Sequence, residues 1–512
     1  MGLSRTRSCA ARVIIVPSCT AKHGGNMADP VSQALATRLM TEGGDARIRL
    51  DPTSGLNRYF SAPRPSGVLA YASSTANDIS PGAFAHVLQQ AVLIAPEGDM
   101  SGADYARQLE RLRSRIRAAY AIASDVDIVF APSGTDLEYV ALACTAGRAP
   151  AGTHNVLLGA DEVGSGCIYS AFGQYFAEST ALGVPTRAGQ PVAGLGETHV
   201  DMIDVPVRDA DGYGRRSAEI ADAIRASLGS AAGRHPLIHV VHGSKTGLIL
   251  PGLGDIDALR AERPTTFVVD ACQARITPAA IAAYLDRGAI VFITGSKFMG
   301  GPPFSGFALI PPALAAAAQP LAAGFATLFR RAEWPSGWPG AEQLPDDANP
   351  GLLLRLEASI FELERFSGLS PAAAERVILA FHAAVRSEIV EPLGIRRVAP
   401  YPRGERDEAD SHPIEMRTLS TLDLSRLGGG ERTFEHAQGW HKALLGRGIR
   451  LGQPVKCVRL ADEGWGATLR IGLTMWQVAD RAALSAPEAE QAFRSDMRAI
   501  AAGLRLLAGK GS

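Results

Sequence analysis

The chain has 512 residues, 46% of them apolar and 20% charged, which is the composition of an ordinary folded protein long enough for two or three domains with substantial cores. Its 51 basic and 52 acidic side chains leave a formal charge of -1, so nothing in the overall charge attracts nucleic acid or an anionic membrane. No apolar run approaches the roughly 20 residues of a membrane span, and neither nucleic acid nor membrane is expected as a partner.

Residues 1–66 read as an N-terminal extension. Its first 27 residues carry Arg5, Arg7, Arg12 and Lys22 with no acid before Asp29, a pattern that suits a transit peptide or the basic end of a signal peptide. The apolar stretch from Val13 to Val16 is too short for a secretory core. The expectation is therefore a disordered extension, or a chain that truly starts at Met27. The six cysteines, Cys9, Cys19, Cys144, Cys167, Cys272 and Cys457, are scattered, with no CxxC pair and no histidine spacing suited to zinc. They read as free thiols of a reducing compartment, the cytoplasm, with neither a disulfide framework nor a metal site expected.

From Ser101 to Ser124 the apolar positions Tyr105, Leu109, Leu112, Ile116, Ala119 and Tyr120 recur at helical spacing, with arginines between them. Alternating units follow. Strands are expected at 127–131, 155–159, 237–241, 265–270, 289–294 and 306–310, and helices from Thr135, around Ser170, and over 255–263 and 278–287. Short strands that are apolar throughout and alternate with helices imply an α/β fold with a mostly parallel sheet covered on both faces. This large unit is expected over 67–340. After Pro311 the pattern changes to an Ala-rich helix, a Trp/Pro/Gly segment from Trp334 to Gly340, and two long amphipathic helices near 351–366 and 371–390. Mixed elements to the C-terminus make 341–512 a smaller α+β domain.

Ligands of open α/β sheets sit beyond the carboxyl ends of the strands. The residues capable of chemistry fall there. The run Phe267 to Val269 ends in Asp270, with Gln273 three residues on, and the run Val291 to Ile293 leads through Thr294 and Ser296 to Lys297 at the start of a Gly/Pro loop. Upstream, Ser133, Gly134 and Thr135 form a small-residue turn before a helix, where free N–H groups and the helix dipole make an anion pocket fit for a phosphate. Each has a structural alternative: a helix N-cap for Ser133, Thr135 and Asp270, a solvated loop position for Lys297. An acid and a lysine ending consecutive strands, with a phosphate turn upstream, is the arrangement a pyridoxal phosphate enzyme needs. The lysine carries the cofactor as a Schiff base, and the carboxylate keeps the pyridine nitrogen protonated so that the ring acts as an electron sink.

These residues resemble the fold-type-I pyridoxal-phosphate (PLP) enzymes, specifically the class V aminotransferase and cysteine desulfurase group. The resemblance runs from about Gly67 to Ile310, with a weaker echo toward the C-terminus. It implies that Lys297 is the Schiff-base lysine, that Asp270 partners the pyridine nitrogen, and that Gln273 bonds the phenolic oxygen. Ser133, Gly134, Thr135 and Thr294 would hold the phosphate, and Ser296 stands where the group often has histidine. Arg470, in the run Leu469 to Leu473, resembles the strand arginine that binds the substrate carboxylate, the alternative being an exposed strand arginine. Ser74, in the segment Tyr71 to Thr75, would line the substrate side.

The segment from Val241 to Pro251 is similar to one that borders the ring in the group, but it is a residue shorter and lacks the asparagine, leaving Ser244 or Lys245 as the replacement. Where relatives stack a ring on the cofactor, this chain has the ringless stretch from Asp161 to Gly166; His242 and Tyr169 are the alternatives. Ser336 is the candidate hydroxyl for a partner subunit's phosphate, which implies a homodimer. The expected function is thus an aminotransferase-like or lyase-like enzyme acting on an amino acid or small amine. A cysteine desulfurase or selenocysteine lyase using Cys457, its thiolate favoured by Lys456, is an alternative, against which a buried cysteine is the structural reading. A PLP-fold protein without catalysis is a third, opposed by the joint presence of Asp270, Gln273 and Lys297.

Overall fold

Runs of β-branched and aromatic residues without a polar break, such as Phe267 to Val269 and Ile290 to Ile293, are satisfied only where both faces of a strand are covered. The computed structural model describes residues 30–72, 74–94, 100–160, 162–164, 166–195, 200–231, 233–402, 417–462 and 464–509, and it places these runs in the middle of one large sheet. Residues 1–27, with Cys9 and Cys19, lie outside the described residues.

The sheet order is Asp127–Ala131, Gly306–Ile310, Ile290–Thr294, Thr266–Asp270, His235–His242, Thr153–Leu158 and Val200–Val205. Gly306–Ile310 runs antiparallel to both neighbours, and the other pairs along this path are parallel. An eighth strand, Ile249–Leu250, folds back on His235–His242. The α/β fold with a mostly parallel sheet is as the sequence leads one to expect. The edge strand Val200–Val205 is not anticipated, because Asp201 and Asp204 interrupt its apolar run; at an edge it is half solvated, with Ile203 39% exposed.

Alternation along the strands splits the core in two. Phe130, Ile238, Val240, Phe267, Val269, Val291 and Ile293 face one side, and Val129, Leu237, Val268, Ile290 and Phe292 the other. On the second side lies the helix Leu137–Thr145, all nine of its residues buried, as expected of a helix apolar around its whole circumference. Trp334 and Trp338 join this second core, 5.0 Å apart and set edge to face. Ser336, in the turn between them, is exposed.

The helices Pro350–Ser367 and Pro371–Val385 follow, the second continuing through a wider turn over Arg386–Val390. Arg396–Val398, Leu419–Asp423 and Thr468–Gly472 form an antiparallel sheet. Leu69–Tyr71 pairs in parallel with Ile449–Leu451, so residues far apart in sequence close one strand pair. The segment before it is anchored by Arg355. This arginine is fully buried and donates to the carbonyls of Phe304 (2.7 Å), Met40 (3.0 Å), Glu42 (2.7 Å) and Gly43 (2.9 Å). Asn349 adds a bond to the Gly43 carbonyl at 3.0 Å.

Candidate active site

Asp127–Ala131, Ile290–Thr294, Thr266–Asp270 and His235–His242 all point the same way, so the segments that follow them meet at one sheet edge. Asp270 pairs in register with Phe292 on one side and Val241 on the other. Its carboxylate accepts the Cys272 N–H at 2.9 Å, which fixes the turn leading to Gln273. Thr294 ends the neighbouring strand, and its hydroxyl donates to the Cys272 carbonyl at 2.6 Å. The Phe298 N–H donates to the Gln273 carbonyl at 3.2 Å. These bonds tie the loop carrying Lys297 to the loop carrying Asp270 and Gln273. Lys297 is half-buried, and its charge and that of Asp270 both act on the Cys167 and Cys272 thiols.

The Ser133 turn closes over the same point. A Cβ on Gly134 would lie 2.8 Å from the Thr294 methyl and 3.3 Å from the Cys272 sulfur, so only glycine allows the backbone this close. Ser133 is buried; its hydroxyl donates to Asp136 at 2.5 Å and accepts the Thr135 N–H at 3.2 Å. These bonds lie within the turn, ahead of the helix Leu137–Thr145, whose N-cap position is Asp136. Burial pushes the Asp136 carboxyl up to about 7, with the Ser133 bond opposing.

Several residues of this site carry no signal in the sequence. Glu138 and His239 lie behind Asp270, both fully buried, with Glu138 Oε2 3.4 Å from His239 Nε2. The contact is not an ion pair. Burial, reinforced by the charge of Asp270, holds the Glu138 carboxyl well above its usual range, and burial pulls His239 down to about 4. Asn77 donates to the carbonyls of Ser296 (3.3 Å) and Lys297 (2.5 Å), which binds the segment of Ser74 to the lysine loop; Ser74 itself is buried. Arg275 donates to the Gln273 side-chain oxygen at 2.8 Å, turning the amide nitrogen of Gln273 away from it. Arg47 brings its guanidinium within 3.5 Å of the Ser133 hydroxyl. A polar residue in a loop or on a buried strand acquires such partners only through tertiary contacts, and spacing does not reveal them.

Arg470 is buried, not an exposed strand arginine. It donates to the carbonyls of Gln453 (2.9 Å) and Lys245 (3.2 Å), and burial lowers its pKa to about 10. The Lys245 segment is held in turn by Glu162. That buried carboxylate accepts from Arg208 at 2.6 Å, the Ser244 hydroxyl at 2.7 Å and the Thr246 N–H at 3.2 Å. Ser244 is thus committed to Glu162. His242 bonds the Tyr284 hydroxyl at 3.0 Å and meets its ring edge-on, while Tyr169 is 40% exposed. Asp161 and Ser165 lie outside the described residues. Cys457 is buried and its thiol is pushed up to about 12 by that burial, while Lys456 lies 5.5 Å from the centroid of the Phe434 ring. The expectation that Lys456 favours a thiolate is corrected: burial dominates, and Cys457 has the character of the buried structural cysteine. Among the described residues no group of three or more His, Cys, Asp or Glu could hold a metal, and no helix is long and apolar enough to cross a membrane.

No family model matches the sequence, and no curated protein matches it. Solved structures do match. The ureidoglycine-glyoxylate aminotransferase of Bacillus subtilis superposes with a TM-score of 0.53 at 12% identity, over 87% of this chain and 94% of that one. The cysteine desulfurase CsdA of Escherichia coli does so with a TM-score of 0.52 at 15% identity, over 86% and 94%. A C-DES variant with glycine covalently linked to its PLP cofactor gives 0.53 at 14% identity, over 84% and 96%. At such identities the likeness speaks for the fold: the chain has the fold of class V aminotransferases and cysteine desulfurases, the fold of the fold-type-I PLP enzymes.

Proposed function

We propose that this chain is a pyridoxal 5'-phosphate-dependent enzyme of the transferase or lyase type, acting as a homodimer on an amino acid or another small amine. The observation that carries the reading is the register of two adjacent parallel strands. Asp270 ends one opposite Phe292 of the other, which runs on through Thr294 to Lys297. This register supports the reading by bringing the loop of Lys297 beside the turn that follows Asp270, where the Phe298 N–H bonds the Gln273 carbonyl. The chain's residues suit the group. The backbone at Gly134 approaches Thr294 and Cys272 more closely than a side chain would allow, and Asp270 is backed by the neutral pair Glu138 and His239 instead of a competing cation.

When bound, pyridoxal phosphate supplies an electron sink for bonds at the amine-bearing carbon of a substrate. Asp270 would hold the ring nitrogen protonated, and Gln273, oriented by Arg275, would donate to the phenolic oxygen. Ser133, Gly134, Thr135 and Thr294 would hold the phosphate, and Ser296 would stand at the cofactor where the resembled group often has histidine. Lys297 would carry the cofactor, and its amine would accept and return a proton as general base and acid. Arg470 would receive the substrate carboxylate through the part of its fork not given to Gln453 and Lys245, beside Ser74 on the substrate side.

The test is the absorbance spectrum of the purified protein with added pyridoxal phosphate, before and after borohydride, followed by mapping of the modified peptide. The expected result is a visible band that reduction fixes onto Lys297 and that Lys297→Ala lacks. Absence of any band, or a label on another lysine, overturns the assignment.

A further inference from the structure

The N-terminal segment has no place in the functional reading above, yet it reaches into the site. Asp45 caps the short turn Ala46–Ile48, accepting the Arg47 N–H at 2.9 Å. The same carboxylate takes the Arg47 side chain by two bonds of 2.7 Å, at Nε and Nη2. Two aromatic rings pack against the guanidinium as well: the ring centroids of Phe176 and Phe304 lie 5.0 and 4.9 Å from it. Phe304 holds this position at a φ of +70°, a left-handed conformation costly for a bulky residue, and Arg355 takes its carbonyl. Such an arginine is gripped along one edge by Asp45 and packed against two rings. Its Nη2 lies 3.5 Å from the Ser133 hydroxyl, at the turn whose geometry suits an anion.

We propose that Arg47, from the N-terminal segment of the same chain, is a binding residue for the cofactor's phosphate at the Ser133–Thr135 turn; the inference rests on the pyridoxal phosphate reading. A planar fork held in one orientation loses little freedom on meeting a phosphate and binds it by charge-assisted hydrogen bonds. The other charges at the turn allow it. Asp45 is spent on Arg47, and Asp136 accepts the Ser133 hydroxyl in a buried setting that pushes its carboxyl up to about 7, which lessens its charge at neutral pH. The residues before the large sheet thus serve as part of the binding site. Arg355 and Asn349 anchor the chain just before Asp45, which fixes where Arg47 can reach.

The experiment compares pyridoxal phosphate with pyridoxal, which shares the aldehyde and ring but lacks the phosphate. Affinities of both are read from the absorbance titration of wild type, Arg47→Met and Arg47→Lys, with inorganic phosphate as competitor and thermal unfolding without cofactor as the check on folding. Arg47→Met is expected to weaken pyridoxal phosphate about ten- to hundredfold and pyridoxal by no more than about twofold, and to reduce competition by inorganic phosphate. Arg47→Lys, which keeps the charge but loses the fork, falls between, and it carries the test should Arg47→Met not fold. Equal weakening of both ligands, or none, overturns the proposal and leaves Arg47 as a clasp for its segment. Wild type that binds neither ligand instead removes the cofactor reading, and this inference with it.

Discussion

Glu138 Oε2 and His239 Nε2 stand 3.4 Å apart beneath Asp270, and neither atom finds a hydrogen bond. Two opposite charges there would attract, but each would first have to leave water, and that cost decides the outcome: the acid stays protonated and the imidazole neutral. A neutral pair does not compete for the Asp270 charge, which leaves that carboxylate available to whatever binds at the strand end.

The pair makes stability depend on pH in a defined direction. Glu138 has a folded-state pKa above its unfolded value, so its contribution is present below the usual glutamate range and is lost as pH rises from there. Glu138→Gln keeps the shape without the titration. The unfolding temperature of the variant relative to wild type should therefore climb between pH 5 and 8, by about 2–6 °C. Parallel melting curves across that range would remove Glu138 from the account. His239 works the other way: with its folded pKa lowered to about 4, it costs stability as pH falls from about 6.5 toward 4.

Gly134 and Thr294 are predicted to be coupled. A methyl at 134 collides with the Thr294 Cγ2, so Gly134→Ala should destabilise the protein by about 1–3 kcal/mol and weaken pyridoxal phosphate binding. Thr294→Ser removes the methyl but keeps the hydroxyl that donates to Cys272. The double variant should recover at least half of the loss in a urea denaturation series. Simple additivity would show that the collision is relieved elsewhere.

Arg355 satisfies four backbone carbonyls, those of Phe304 and Met40 through buried bonds. Truncation to alanine strands these two and loosens the hold on Glu42 and Gly43, and should cost about 3 kcal/mol or more, measured by urea unfolding. If the segment from Met40 to Arg47 loosens as a result, limited proteolysis should cut there first. A variant as stable as wild type contradicts the anchoring role.

Cys457 is predicted to be a bystander. Its buried thiol, pushed up to about 12, is protonated at physiological pH, so a thiol reagent at pH 8 should leave it unmodified in the folded protein. Cys457→Ser should change turnover of any accepted substrate less than about twofold. A tenfold loss on a sulfur-containing substrate alone would revive the desulfurase reading.

What the sequence determined by itself is whatever rests on local pattern. Apolar runs without polar breaks identify the buried parallel strands, and the residues just after those runs, Asp270, Gln273, Thr294 and Lys297, are marked because strand ends are where such sheets bind ligands. The turn at Ser133 is legible for the same reason. The solvated edge strand Val200–Val205 escapes because Asp201 and Asp204 interrupt its apolar run. Tertiary structure alone decided which side chains face one another across long stretches of chain. It set Arg47 against Ser133, Glu138 against His239, Asn77 against the lysine loop, and Arg275 against Gln273. It also buried Cys457 and Arg470, because burial depends on everything packed around a residue and not on the few residues beside it in the chain.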